Sequence, residues 1–180
     1  MRRTIAGATA ALLLLTVVGC GSGSKDADAN AAADTQQTQS KPDKSENQTT
    51  VGKALTVKMQ SGATAEVTVL KVSTAKKGKG EFAEKPANGQ FVVIDVQVKV
   101  TGKEFAVNPL YVQYQAADNK VFDSGDGNAM TAGFEPVLDS GDVPKGQTSR
   151  GFVVFDTPAG KGKQVQLTDE LGSPIAYWAL

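Results

Sequence analysis

The one cysteine of this 180-residue chain, Cys20, stands in the stretch "LTVVGCGSGS", where an apolar run gives way to glycine and serine. One thiol excludes an internal disulfide, and a thiol is intrinsically very nucleophilic, so Cys20 is the first candidate for covalent chemistry. There is no histidine, which removes the commonest general base and metal ligand, and with them the Ser–His and Cys–His nucleophile pairs. The remaining candidates are charged. Asp118, Asp123, Asp126, Asp139 and Asp142 fall in the loop-like stretches "DNKVFDSGDGNAM" and "LDSGDVPKG". Carboxylate oxygens suit calcium, which takes roughly 6 to 8 of them. Gly125, however, occupies a position where the calcium-loop pattern D-x-[DN]-x-[DN]-G requires Asp or Asn, and Asp, Ser and Gly are also ordinary turn formers. Lys76, Lys77 and Lys79, with Lys71 nearby, offer a contact for anionic head groups or form a solvated loop. Lys+Arg and Asp+Glu both number 19, for a formal charge of zero. That balance weakens any steering argument and argues against a nucleic-acid partner, which a basic surplus would mark. No residue is assigned a catalytic, cofactor-binding or metal-ligating role, and the expectation is a protein that is not an enzyme.

The residues around Cys20 assign it a different task. Met1-Arg2-Arg3 is a short positive start, and residues 5–18 are apolar or small, with four leucines at 12–15. Such a run is shorter than the roughly 20 residues that span a bilayer core as a helix; its length and flanks are those of a signal peptide. It ends in Val17-Val18-Gly19-Cys20, which resembles the lipobox of bacterial lipoprotein signal peptides. The resemblance implies cleavage after residue 19 and a diacylglyceryl group on Cys20. Two acyl chains anchor stably where one holds only marginally.

Residues 21–50 contain no aromatic residue and no Leu, Ile, Val or Met. Such a segment buries too little apolar surface to offset its ordering entropy, so 20–51 reads as a lipidated cysteine followed by a disordered tether of roughly 30 Å root-mean-square span. The domain is expected over 52–180. There short apolar runs alternate with Gly, Asn, Asp and Pro. Leu55, Val57 and Met59 alternate with polar neighbours. Val67 and Val69 share a face that Leu70 and Val72 leave, a change of phase that predicts a bulge. In "FVVIDVQVKV" (91–100), Val92, Ile94, Val96, Val98 and Val100 share one face. Further strands are expected at 109–116 around Leu110, Val112 and Tyr114, at Val121-Phe122, at 151–156, at 165–167 and at 175–178. "GFVVFD" (151–156) is apolar on both faces and predicts a central, doubly covered strand. Seven or eight such strands without helical periodicity predict an all-β sandwich of immunoglobulin-like architecture.

"NGQFVVIDVQVKV" (88–100), "GQTSRGFVVFDTP" (146–158) and the closing "AYWAL" (176–180) resemble the DUF4352 family of telokin-like, immunoglobulin-like, MPT-63-like domains, over roughly residues 52–180. The family often has an asparagine directly after the first long strand; here Thr101-Gly102 stands there. The resemblance implies an extracellular lipoprotein of a Gram-positive bacterium, with palmitate-type acyl chains on Cys20, held at the outer face of the cytoplasmic membrane; it supplies no catalytic residues. Phe152, Phe155 and Trp178 are most simply core side chains, and Gly89 and Gly146 mark turns. The functional expectation is a membrane-anchored binding module for an envelope or extracellular protein, with a small-ligand or calcium binder as the alternative.

Overall fold

The computed structural model describes residues 47–180. The signal peptide at 1–19, Cys20 and nearly all of the tether lie outside the described residues. Eleven strands follow in order: β1 Gln48–Thr50, β2 Ala54–Lys58, β3 Thr64–Ala75, β4 Gln90–Val100, β5 Phe105–Val107, β6 Val112–Ala116, β7 Val121–Asp123, β8 Gly141–Val143, β9 Thr148–Thr157, β10 Gly162–Thr168 and β11 Pro174–Ala179. They form a five-stranded sheet ordered β1-β11-β10-β6-β7, a four-stranded sheet ordered β2-β3-β4-β9 and a β5-β8 ribbon. The architecture is the expected all-β sandwich.

The alternation of β4 decides which side of the four-stranded sheet is inside. Val92, Ile94, Val96, Val98 and Val100 are buried against Val112, Tyr114, Val165, Leu167 and Trp178 of the other sheet. Each such apolar side chain contributes on the order of 1.5–3 kcal/mol by leaving water. The expected change of phase in β3 is a bulge: the register with β4 shifts between Val69 and Lys71. Leu70 is the extra residue, and Val72 thereby returns to the core side.

Three features depart from the sequence reading. The strands beyond the eight expected are β1, β5 and β8, each three residues long and held by backbone pairing. Of these, β1 lies in the stretch assigned to the tether. It pairs in parallel with β11, and the Tyr177 N–H donates to the Asn47 carbonyl at 2.8 Å; such bonds require no apolar side chain. Residues 109–111 form a short 3-10 turn capped by the Asn108 side chain, which accepts from the Leu110 N–H, so the strand begins at Val112 and Leu110 points to solvent. Finally, β9 is at the edge of its sheet, paired to β4 alone. Its second apolar face has another cause: Phe152 and Val154 pack with Phe91, Val93, Ala132 and Phe134 in a second cluster outside the sandwich.

Candidate functional site

The second cluster exists because the long connection from β7 to β8 wraps around the edge of β9, and a buried carboxylate holds it there. Asp156, fully buried at 0 % exposure, lies near the end of β9. Its Oδ2 accepts from the backbone N–H of Ala87 at 2.6 Å and of Asn128 at 2.9 Å, and its Oδ1 from the N–H of Asn88 at 2.9 Å. A buried carboxylate must be satisfied in this way or it is costly. The same two loops also grip each other. The Asn128 side chain donates to the Lys85 carbonyl at 2.9 Å, the Glu84 N–H to the Thr131 carbonyl at 3.1 Å, and the Lys79 N–H to the Ala132 carbonyl at 2.8 Å. Phe134 then lies edge-on to Phe91, with ring centroids 6.2 Å apart.

From Phe134 the chain passes through a cis Glu135–Pro136 peptide and returns along β9. The Phe152 N–H donates to the Pro136 carbonyl at 2.7 Å, and the Leu138 N–H to the Phe152 carbonyl at 3.0 Å. Gly151 permits this approach, since a Cβ there would collide with the backbone of Val137 and Leu138.

Between these crossings lies a groove of about 550 Å³. Phe152, Val153 and Val154 of β9 lie along it, with Asn108, Pro109 and Leu110 from the 3-10 turn and Met130, Phe134, Glu135 and Val137 from the wrapping segment. Three large apolar side chains on it face water: Leu110 at 60 % exposure, Met130 at 86 % and Val137 at 55 %. Its volume falls within the ~300–1,000 Å³ of ligand clefts. Chemically the groove can hold an apolar group. The polar side chains that line it, Asn108, Ser124, Glu135 and Ser140, include a single ionisable one.

The sequence-derived candidates are distributed elsewhere. Cys20 lies outside the described residues. Asp118 accepts from the Lys120 N–H within its own turn, and Asp126 Oδ2 from the Asp123 N–H. Asp139 lies on the connection into β8, and Asp142 is within β8, opposite Ala106 of β5. Among the described residues no group of three or more acidic or cysteine side chains converges where a metal ion could be held. In the lysine run, Lys79 lies over the Phe134 ring at 5.3 Å from its centroid, and Lys76 reaches the Gly89 carbonyl at 3.5 Å. Phe155 and Trp178 are core residues, and the Trp178 indole donates to the Lys53 carbonyl at 3.0 Å. Phe152, expected to be core, is half-buried and lines the groove.

Sequence reading missed Asp156 and Asp169. The signal for the first was a carboxylate closing a run that is apolar on both faces. Asp169, 3 % exposed, joins the β10–β11 turn to the β2–β3 turn. It accepts from Ser173 N–H at 2.8 Å, Leu171 N–H at 3.0 Å and Gln60 Nε2 at 2.7 Å. Burial pushes its pKa up, but these hydrogen bonds outweigh that and hold it below the usual carboxylate value.

The model of a domain of unknown function, DUF4352, matches residues 51–174. The chain belongs to the DUF4352 family. No curated protein matches this DUF4352 chain. A solved structure resembles it: a secreted protein from Mycobacterium tuberculosis, MPT63, with a TM-score of 0.59 and 16 % sequence identity, covering 74 % of this chain and 96 % of that one. At that identity the likeness shows the β-sandwich fold alone. Among the described residues, no helix is long and apolar enough to cross a membrane.

Proposed function

We propose that this DUF4352 protein is a lipid-anchored, extracytoplasmic binding module, tethered through Cys20 to the outer face of the cytoplasmic membrane, and that the groove beside β9 is its contact surface. The observation that carries this reading is the grouping of Leu110, Met130 and Val137 around one groove. Apolar surface gathered around a concavity on an otherwise well-packed sandwich marks an interaction site more often than chance exposure does. The reading is non-catalytic: the lining offers hydroxyls and one carboxylate without a histidine or lysine to activate them. The anchor rests on the sequence around Cys20, and the partner is an envelope or extracellular protein.

A second reading follows from the volume: about 550 Å³ also admits a small apolar ligand. In-cell photo-crosslinking separates the two. A photoreactive residue replacing Met130 in the anchored protein is compared with one replacing Lys99, which lies on the polar outer face of the four-stranded sheet. A recurrent envelope protein captured from position 130, absent from position 99 and lost with Val137→Asp, supports the module reading. Equal, scattered capture from both positions would sink it.

A further inference from the structure

The backbone of β9 makes the groove more than an apolar depression. Phe152 gives both its N–H and its C=O to the 136–138 segment, so it is not a hydrogen-bonded partner of Asp95 across β4. In an antiparallel pair hydrogen-bonded and non-bonded positions alternate. Val153 is therefore bonded to Ile94, and the N–H and C=O of Val154 point away from β4. No hydrogen bond to either group occurs among the described residues, and Val154 lines the groove. An unpaired strand edge is a template for another chain. The free edge is short: the 136–138 segment closes it at Phe152, and the loop carrying Asn128 crosses it at Asp156.

Charge narrows the occupant. From Val121 to Pro144 the sequence has five carboxylates, Asp123, Asp126, Glu135, Asp139 and Asp142, and no Lys or Arg, in a chain whose charges balance as a whole. Lys79, over the Phe134 ring, is a cation near this segment contributed by another loop. The carboxylates of this segment, of which Glu135 lines the groove, disfavour a fatty-acid carboxylate or an anionic lipid head group and favour a basic partner.

We infer that the groove takes a short extended peptide segment of a partner protein, one residue of which pairs with the free N–H and C=O of Val154 while an apolar side chain sits among Leu110, Met130 and Val137 and basic side chains flank it. This inference rests on the binding-module reading and specifies its occupant. A one-residue pairing supplies about two main-chain hydrogen bonds, so specificity comes from the apolar anchor and the flanking charges.

The test is titration of the ¹⁵N-labelled full chain with three capped peptides, Lys-Leu-Lys-Leu-Lys, Glu-Leu-Glu-Leu-Glu and Lys-Ser-Lys-Ser-Lys, and with decanol. The expected result is that the first peptide shifts the Val154 amide signal, and that the other two bind at least about tenfold more weakly. Met130→Ser changes a side chain that is 86 % exposed and outside the core. It should weaken the first peptide about tenfold, because the apolar anchor loses a contact without any change of charge. The double change Glu135→Lys with Asp139→Lys should reverse the charge preference. Equal binding of both charged peptides, or failure of every peptide to move Val154, overturns the inference. If decanol alone moves Val154, the peptide inference falls and the small-ligand reading takes its place. If no probe moves Val154 while photo-crosslinking still captures a partner from position 130, the module reading stands and this occupant is wrong.

Discussion

The backbone N–H of Asn128 donates to Oδ2 of Asp156 at 2.9 Å, joining two residues 28 positions apart in the sequence. With the N–H groups of Ala87 and Asn88 on the same carboxylate, this bond fixes the loops that build the outer wall of the groove. Asp156→Ala is expected to leave three backbone donors without their acceptor and to destabilise the domain by at least about 3 kcal/mol. Asp156→Asn retains one acceptor oxygen but turns an amino group toward an N–H donor, so its loss is smaller and still clear. Urea unfolding measures both. Amide hydrogen exchange should show the earliest loss of protection at 84–89 and 124–134. Uniform loosening across β4 and β10 would contradict the assignment of Asp156 to these loops.

Gly151 and Leu138 define the opposite end of the groove. A methyl group at 151 has no room against the backbone of Val137 and Leu138, and backbone cannot rotate aside as a flexible side chain can. Gly151→Ala should therefore displace the 136–138 segment, at a cost of about 1–3 kcal/mol. It should also open both bonds of Phe152 to that segment. The check is loss of exchange protection at the Leu138 and Phe152 amides with β4 unaffected. Unchanged protection there would show that the segment accommodates the methyl group.

Asp169 gives the domain a defined response to acid. Its folded pKa lies below the ordinary carboxylate value because the bonds from Ser173, Gln60 and Leu171 outweigh the opposing effect of burial. A depressed folded pKa means that the stability it contributes is fully present above the unfolded value of about 3.9 and is lost as the pH falls from there through the folded pKa. Asp169→Asn removes this component. The gap in Tm between the native protein and the variant should be widest near neutral pH and narrow below about pH 4. A gap that stays constant from pH 6 down to pH 2 would show that the carboxylate's charge plays no part.

Legibility followed the type of interaction. The alternation of β4 and the bulge at Leu70 were readable because a buried face forces a period of two, and an extra residue breaks that period. The two-faced apolarity of β9 was readable as well, but its position was not. A central strand and an edge strand covered by a returning loop leave the same side-chain pattern, and only hydrogen bonds such as Phe152 to Pro136 distinguish them. The groove escaped for a related reason. Its residues, Leu110, Met130, Val137 and Val154, come from three separated places in the chain. Leu110 even read as part of a strand, until the cap from Asn108 turned it outward. Strands such as β1 and β8 carry almost no apolar signal, because backbone pairing alone defines them.

The anchor is the part of the proposal that the domain itself does not reach, and Cys20 can be tested directly. Diacylglyceryl transfer requires the thiol, so Cys20→Ser should abolish incorporation of an alkyne-labelled fatty acid and move the protein from the membrane fraction to the medium. Cys20→Ser leaves the sequence from Asn47 to Leu180 untouched, and with it every contact described for the groove. The released form should therefore keep its thermal unfolding midpoint and its binding at Val154. Its capture of a membrane partner should nevertheless fall, because tethering raises effective concentration without adding a contact. Labelling of the Cys20→Ser form equal to that of the native protein would remove Cys20 from the mechanism.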